Sequence, residues 1–136
     1  MRTTLSRALA LFALTIAAAG AAEPIDGSQP LSCLVTTGRD CLPADSGCKL
    51  LQPERGKPPV IDIDFNKKEV RSPFRTALLH VTHSTVTSES LILQGADLLF
   101  AWSALIKKRS GDLTIAITDR EGAYVVFGAC KPVAGK

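Results

Sequence analysis

Apolar and polar residues alternate along much of the chain after Val60, and this pattern constrains the fold more than any other feature. In Val60–Phe65, the letters VIDIDF put three apolar residues on one side and Asp62 and Asp64 on the other. Leu113–Thr118 repeats the same period of two. Because successive side chains of a β-strand point to opposite faces, this alternation is typical of half-buried strands. The pattern therefore predicts a mainly β protein.

Short apolar segments separated by turn residues extend this prediction over most of the chain. The expected strands are Leu31–Thr37, Val60–Phe65, Glu69–Arg71, Thr76–Val86, Leu91–Gln94, Leu98–Ile106, Leu113–Thr118 and Ala123–Ala129. The segment Leu98–Ile106 is apolar on both sides, which is compatible with a buried helix turn and favours a central strand covered on both faces. A tight turn is expected at 119–122, with Gly122 supplying a positive φ. Such spacing predicts one antiparallel meander, either a curved sheet or a small barrel.

The first 22 residues have the three parts of a secretory signal peptide. Arg2 and Arg7 precede an apolar run of about a dozen residues, and small residues follow before Glu23 and Pro24. That run is shorter than the roughly 20 residues that a membrane-spanning helix needs. Cleavage after Ala22 or after Ala21 is equally compatible with the small-residue rule. We therefore expect a protein exported to the periplasm or the outside, with no transmembrane segment in its mature part.

The mature part is expected to form one domain, since about 114 residues remain after cleavage at Ala22. Its first segment, 23–59, is an N-terminal arm followed by a loop rich in Pro and Gly, and 60–136 forms the β-rich body. Removing Arg2 and Arg7 from the 16 basic residues leaves 14 against 13 acidic residues. A net charge near +1 argues against nucleic-acid binding.

Four cysteines, an even number, occur in the predicted mature part: Cys33, Cys41, Cys48 and Cys130. In a small exported chain this count predicts two disulfides, with three possible connectivities. We favour Cys41–Cys48, which closes a short loop, and Cys33–Cys130, which ties the start of the domain to its last strand. The spacings of seven, six and 81 intervening residues do not match the close cysteine pairs of zinc sites. No metal and no cofactor are expected.

Few residues have a pattern that points to chemistry. Asp62 and Asp64 share one strand face, where paired carboxylates bind hard cations or serve as acid and base on a glycan. They are also typical of a solvated face opposed by basic residues. The histidines His80 and His83 are three positions apart, so an unbroken strand would point them to opposite faces. No G-x-S-x-G motif or phosphate-binding loop is present.

Trp102 and Tyr124 are the only Trp and Tyr of the chain. Aromatic side chains beside a cleft bind sugars and apolar ligands, and they are equally the large residues that a small β core requires. Together with Asp62, Asp64 and His80, they form the set of candidate binding residues. No residue is assigned a catalytic role.

The C-terminal half resembles a class of small exported bacterial β-rich proteins that has no defined activity. The resemblance rests on Ala101-Trp102-Ser103, on the hairpin Lys108–Thr114 and on the closing Gly128-Ala129-Cys130. It covers about 40 residues. What it implies is a secreted β fold, with no particular function.

Two functional hypotheses remain from the sequence. The first is a non-catalytic binding or interaction module whose partner is an envelope protein, a glycan or a small apolar ligand. The alternative is a small envelope hydrolase that uses Asp62 and Asp64 or His80.

Overall fold

A computed structural model describes residues 24–134 of the chain. The predicted signal peptide, 1–22, lies outside these residues. The described part contains strands β1 (Leu31–Cys41), β2 (Lys49–Leu50), β3 (Val60–Asp64), β4 (Glu69–Arg71), β5 (Leu79–His80), β6 (His83–Val86), β7 (Ser90–Ala96), β8 (Phe100–Lys107), β9 (Asp112–Asp119) and β10 (Ala123–Pro132). From Pro24 to Ala134 no helix has the length and apolar character needed to cross a membrane.

The strands form one antiparallel sheet that curls into a half-barrel, in the order β5-β4-β3-β1-β10-β9-β8-β7-β6, with β2 paired beside β1. The predicted mainly β, antiparallel and curved architecture is confirmed. The strand β1 lies near the middle of the sheet, between β3 and β10. It reaches Cys41 rather than ending at Thr37, because its second half pairs with β10 across a bulge at Thr36.

The concave face of the sheet holds the core. Alternate residues of each strand are buried there, for example Trp102, Ala104 and Ile106 of β8. Removing such apolar side chains from water is the main stabilising contribution to a fold of this size. One end of the core is covered by the arm before β1, whose Ile25 is only 6% exposed.

Two expectations about strands β7 and β8 were wrong. The strand β8 is not covered on both faces, because Ala101, Ser103 and Leu105 point outward to solvent. The strand β7 does not end before Gly95 but continues through it to Ala96. A Cβ atom at residue 95 would lie 2.1 Å from the carbonyl oxygen of His80, so this position requires glycine.

The predicted strand Thr76–Val86 is broken in the middle, and the break joins the two ends of the sheet. Its first part, β5, pairs with β4, and its second part, β6, pairs with β7. Between them, the Val81 N–H donates to the Lys68 carbonyl and the Thr82 N–H donates to the Gln94 carbonyl. The outermost strands of the sheet are thus consecutive in the chain.

This break also reverses which side chains face inward. Leu79 is buried, but beyond the break Ser84 lies opposite the buried Leu93 and therefore faces the concave side. His80 and His83 consequently both lie on the convex face and are exposed. The expectation that they point to opposite faces holds only for an unbroken strand.

Both predicted disulfides are confirmed. Cys33 bonds to Cys130 and Cys41 bonds to Cys48, and the described residues contain no free cysteine. The two bridges lie toward opposite ends of the sheet. We call the end that carries Cys41, Asp119 and Tyr124 the Arg75 end. The opposite end, where the arm 24–30 precedes Leu31, is called the arm end.

Candidate functional site

The predicted carboxylate pair lies on the convex face of β3. Asp62 is exposed and lies opposite Arg71 of β4. Asp64 accepts a hydrogen bond from the Lys67 N–H at 3.0 Å, and its other oxygen is 3.6 Å from the Lys67 ammonium. These contacts are those of a solvated strand face with basic neighbours.

The exposed side chain of His80 lies on the same convex face, two strands away from Asp64 and directly opposite Glu69. Within residues 24–134, no three side chains of His, Cys, Asp or Glu are grouped closely enough to hold a metal ion. The structure therefore does not bring the candidate ligands Asp62, Asp64 and His80 into one chelating site.

The two aromatic candidates have different surroundings. Trp102 is 4% exposed and belongs to the core, where its indole Nε1 has no hydrogen-bond partner within the described residues. Tyr124 is half-buried at the Arg75 end, on the concave side of β10. Of the five residues named from the sequence, Tyr124 lies within a partly buried cluster of charged and aromatic groups.

Arg75 is the centre of that cluster. It lies in the loop between β4 and β5, which begins with the buried Ser72 and Pro73. Its guanidinium carbon lies 4.7 Å above the centre of the Phe100 ring and 6.0 Å from that of Tyr124. Both distances allow cation–π attraction, and the nearer one is the stronger.

Asp119, at the end of β9, pairs with this arginine. Its Oδ2 lies 3.5 Å from an Arg75 Nη, and the two side chains are 13% and 29% exposed. Its Oδ1 accepts hydrogen bonds from the backbone N–H groups of Glu121 and Gly122 at 2.9 and 3.0 Å. Burial acts to raise the pKa of Asp119, but these backbone donors, Tyr124 and Arg75 outweigh it and hold the pKa below its usual value.

The turn that follows Asp119 is therefore built differently from the prediction. Gly122 does not have a positive φ. The carboxylate of Asp119 closes the turn instead, by accepting from the two backbone N–H groups. Gly122 is required for space, since a Cβ atom there would lie 2.3 Å from the Cys41 carbonyl oxygen.

Negative charge surrounds the Tyr124 hydroxyl. Burial is the largest cause that raises the pKa of Tyr124, followed by the charges of Asp119 and Asp40. Asp40 lies directly opposite Tyr124 on β1, and its Oδ1 is buried with no hydrogen-bond partner within the described residues. Tyr124 thus remains a neutral hydrogen-bond donor and acceptor at neutral pH.

Three clefts meet at Arg75, and one of them, of about 570 Å³, is also lined by Asp62 and Arg71. The largest of these three, of about 590 Å³, is lined by Arg75, Phe100 and Asp119, by the apolar residues Ala77 and Leu99, and by the charged residues Glu54, Arg120 and Glu121. The smallest, of about 150 Å³, continues inward toward Ile117 and Tyr124. The Arg75 end therefore offers a cationic group, aromatic surface and room for a ligand.

Sequence reasoning did not find Arg75, Asp119 or Phe100. Arg75 is an isolated basic residue in a Pro-Phe loop, and it lies 44 positions before Asp119. No spacing rule connects residues so far apart. The one available signal was Asp119 itself, because an aspartate before a Gly turn often accepts backbone hydrogen bonds.

Comparison with protein-family models finds no match for this chain, and neither do comparisons with curated proteins and with solved structures. The fold and the site are therefore interpreted from this structure alone. They define a mainly β, disulfide-linked half-barrel with a charged and aromatic cleft at one end.

Proposed function

We propose that this protein is a non-catalytic binding module and that the Arg75 end holds its ligand. The ligand is a small apolar molecule that carries an anionic group such as a carboxylate. One observation carries the proposal: a guanidinium fixed by Asp119 and by the Phe100 ring lines a cleft of about 590 Å³.

The hydrogen-bonding capacity of Arg75 supports the anionic group. A guanidinium has five N–H donors in a rigid, planar arrangement that matches a carboxylate. Its contact with Asp119 involves one nitrogen, at 3.5 Å, and no other ion pair of Arg75 occurs in residues 24–134. Because Phe100 and Asp119 already hold the side chain in position, little conformational entropy is lost when a second anion binds.

The lining of the cleft supports the apolar body of the ligand. Ala77, Leu99 and Phe100 contribute carbon surface beside the charged groups. The volume falls within the range of about 300–1,000 Å³ that is typical of small-molecule sites. A ligand with one charged end and one apolar end would match both parts of this lining.

An exported location also belongs to the proposal. The two disulfides indicate an oxidising, non-cytoplasmic environment. We infer that residues 1–22 direct export and are removed, leaving a chain that starts near Glu23 in the periplasm or outside the cell. The hydrolase hypothesis for Asp62, Asp64 and His80 stays a prediction, and no observation on the convex face favours it.

The test uses 1-anilinonaphthalene-8-sulfonate, an aromatic anion whose fluorescence rises on leaving water, and decanoate as a carboxylate competitor. We expect the probe to bind with 1:1 stoichiometry and decanoate to displace it. Arg75→Lys keeps the charge but loses the planar fork, so its affinity for decanoate should fall about tenfold, which corresponds to roughly 1.4 kcal/mol.

The matched control is Arg109→Lys, an exposed arginine in the β8–β9 turn at the arm end. It should bind both compounds as the unmodified protein does. The proposal fails if decanoate does not bind, or if Arg75→Lys and Arg109→Lys bind it equally well while both retain the native circular dichroism spectrum.

A further inference from the structure

The second cavity of interest lies at the arm end, beside β6. It has a volume of about 250 Å³ and is lined on one side by residues of β6 and on the other by Gly27, Phe65 and Lys68. This volume is just below the range of about 300–1,000 Å³ that is typical of small-molecule sites. It therefore fits part of a larger partner better than a complete small ligand.

The strand β6 has a free backbone edge. It pairs with β7 only, and all four of its residues are exposed. The Thr87 N–H donates to the Ser90 carbonyl, which makes Thr87 and Ser90 a hydrogen-bonded pair of the ladder. In an antiparallel ladder, hydrogen-bonded pairs alternate with non-hydrogen-bonded pairs. Every second residue before Thr87 therefore bonds to β7, and the backbone groups of the residues between them, Ser84 and Val86, point away from β7. No hydrogen bond within residues 24–134 reaches them.

This edge also lacks most of the devices that protect natural sheet edges. The sequence His83–Val86 contains no proline and no lysine, and its register with β7 contains no bulge. Edges are commonly protected by such features or by being very short. Here only the shortness remains, and it limits a partner to a segment of a few residues.

The concave surface next to this edge is open and carries both apolar and polar side chains. Val86 lies opposite the buried Leu91 and faces the same side, yet it is 52% exposed. Phe65 and Val81 add apolar surface to the cavity, beside the polar Thr82, His83 and Ser84. Lys68 and Asp26 line it with opposite charges, which favours a partner side chain without net charge.

We propose that β6 binds an extended peptide segment of another protein by strand addition. The peptide backbone pairs with Ser84 and Val86, and one uncharged apolar side chain enters the arm-end cavity. Strand addition of this kind takes affinity from main-chain hydrogen bonds and specificity from pockets for alternate side chains. Because the edge faces a second wall across the cavity, a single extended chain fits there better than a second folded copy.

The test uses fluorescein-labelled, uncharged five-residue peptides of alternating sequence, TVLVT, TVFVT and TVTVT, with both ends capped. Fluorescence polarisation should give saturable binding, tightest for a peptide with Leu or Phe in the middle. Ser84→Pro removes an outward N–H without touching the ladder to β7, so it should weaken binding at least tenfold. Ser84→Ala keeps this N–H and should bind as the unmodified protein does.

A second measurement does not depend on the folding of the proline variant. Alternate residues of an extended peptide direct their N–H groups to opposite edges. N-methylation of every second residue therefore removes the donors of one edge and leaves the side chains unchanged. Of the two possible methylation patterns, the one that removes the donors facing β6 should abolish binding. Strand addition is ruled out if both patterns bind like the parent peptide or if none of the peptides binds at millimolar concentration. If native mass spectrometry finds a dimer that Ser84→Pro dissociates, the edge pairs with a second copy of this chain, and the proposal of a peptide from another protein is overturned. The Arg75 cleft lies at the other end of the sheet, so either outcome leaves the proposed function independently testable.

Discussion

The two ends of the half-barrel are closed in different ways. At the arm end the chain covers its own core, because Ile25 packs into the cluster of buried apolar residues. At the Arg75 end the loops combine apolar residues that pack against the core, such as Leu51 and Phe74, with a partly buried salt bridge between Arg75 and Asp119. The sheet between them has one continuous apolar concave face.

Because of this difference, we expect the two ends of the sheet to contribute unequally to stability and to ligand binding. A buried apolar side chain stabilises the fold wherever it packs, but it presents no group to a ligand. A half-buried arginine contributes less to stability and retains hydrogen-bond donors for a partner. We therefore expect changes at the arm end to affect unfolding most, and changes at the Arg75 end to affect ligand binding most.

The largest expected effect is the loss of the disulfide nearer the arm end. Cys33 and Cys130 are 97 positions apart, and Cys41 and Cys48 are seven apart. On the chain-entropy model, a loop near 100 residues stabilises by about 4.7 kcal/mol and a loop this short by less than about 3 kcal/mol. Replacing Cys33 and Cys130 by alanine should therefore lower the free energy of unfolding in urea more than replacing Cys41 and Cys48.

Intact mass spectrometry of protein recovered from the exported fraction tests the disulfides and the proposed cleavage. The denatured, non-reduced mass should equal that of the chain from Glu23, or from Ala22, less four hydrogens. Equal losses of unfolding free energy in the two alanine pairs would contradict the expected ranking. A measured mass with free thiols would contradict the disulfides themselves.

Much of the fold could be predicted because each strand carries its own signal. The alternation in Val60–Phe65 identifies both the strand and its buried face, and β3 follows it closely. The cysteine count and spacing led to the correct pairs without any structural information. These are local or countable features, so one sequence is enough to detect them.

The candidate site could not be predicted in the same way. Arg75 and Asp119 meet only because the loop after β4 and the end of β9 reach the same end of the sheet. The break at Val81 and Thr82 also escaped notice, since β-branched residues run through it without a Gly or Pro. Pairing with two different strands, a tertiary effect, overrides the local preference there.

An intermediate effect is expected from the arm itself. Ile25 is 6% exposed, and truncating a buried isoleucine to alanine costs about 2–5 kcal/mol in a rigid core. Because Ile25 lies on an arm outside the strands of the sheet, we expect Ile25→Ala to fall at the lower end of this range and to lower the unfolding free energy by about 2 kcal/mol in urea titrations.

Leu98→Ala is the matched control at the Arg75 end, since Leu98 is 95% exposed in the β7–β8 turn. Its unfolding free energy should stay within about 0.5 kcal/mol of that of the unmodified protein. If Ile25→Ala were equally neutral, the arm would not be part of the core, and the proposed contrast between the two ends would be lost.

The smallest expected effect is the pH dependence that Asp119 contributes. The pKa of Asp119 is lower in the folded protein than its usual value of 3.8, so the folded state favours the charged carboxylate. Its stabilising contribution is fully present above the unfolded pKa and is lost as the pH falls through the folded pKa. Asp119→Asn should thus reduce the unfolding free energy by about 1 kcal/mol at pH 6. The reason is that the backbone N–H groups of Glu121 and Gly122 would then donate to a neutral amide oxygen instead of a charged carboxylate.

The difference between Asp119→Asn and the unmodified protein should shrink steadily as the pH is lowered from 5 to 2, in urea titrations at constant ionic strength. Leu98→Ala, which changes no titratable group, is the control, and its difference from the unmodified protein should stay constant over this range. A constant difference across this range would mean that the Asp119 carboxylate is not selectively stabilised in the folded state. The Arg75 end would then lack the fixed ion pair that holds its guanidinium ready for an anionic ligand.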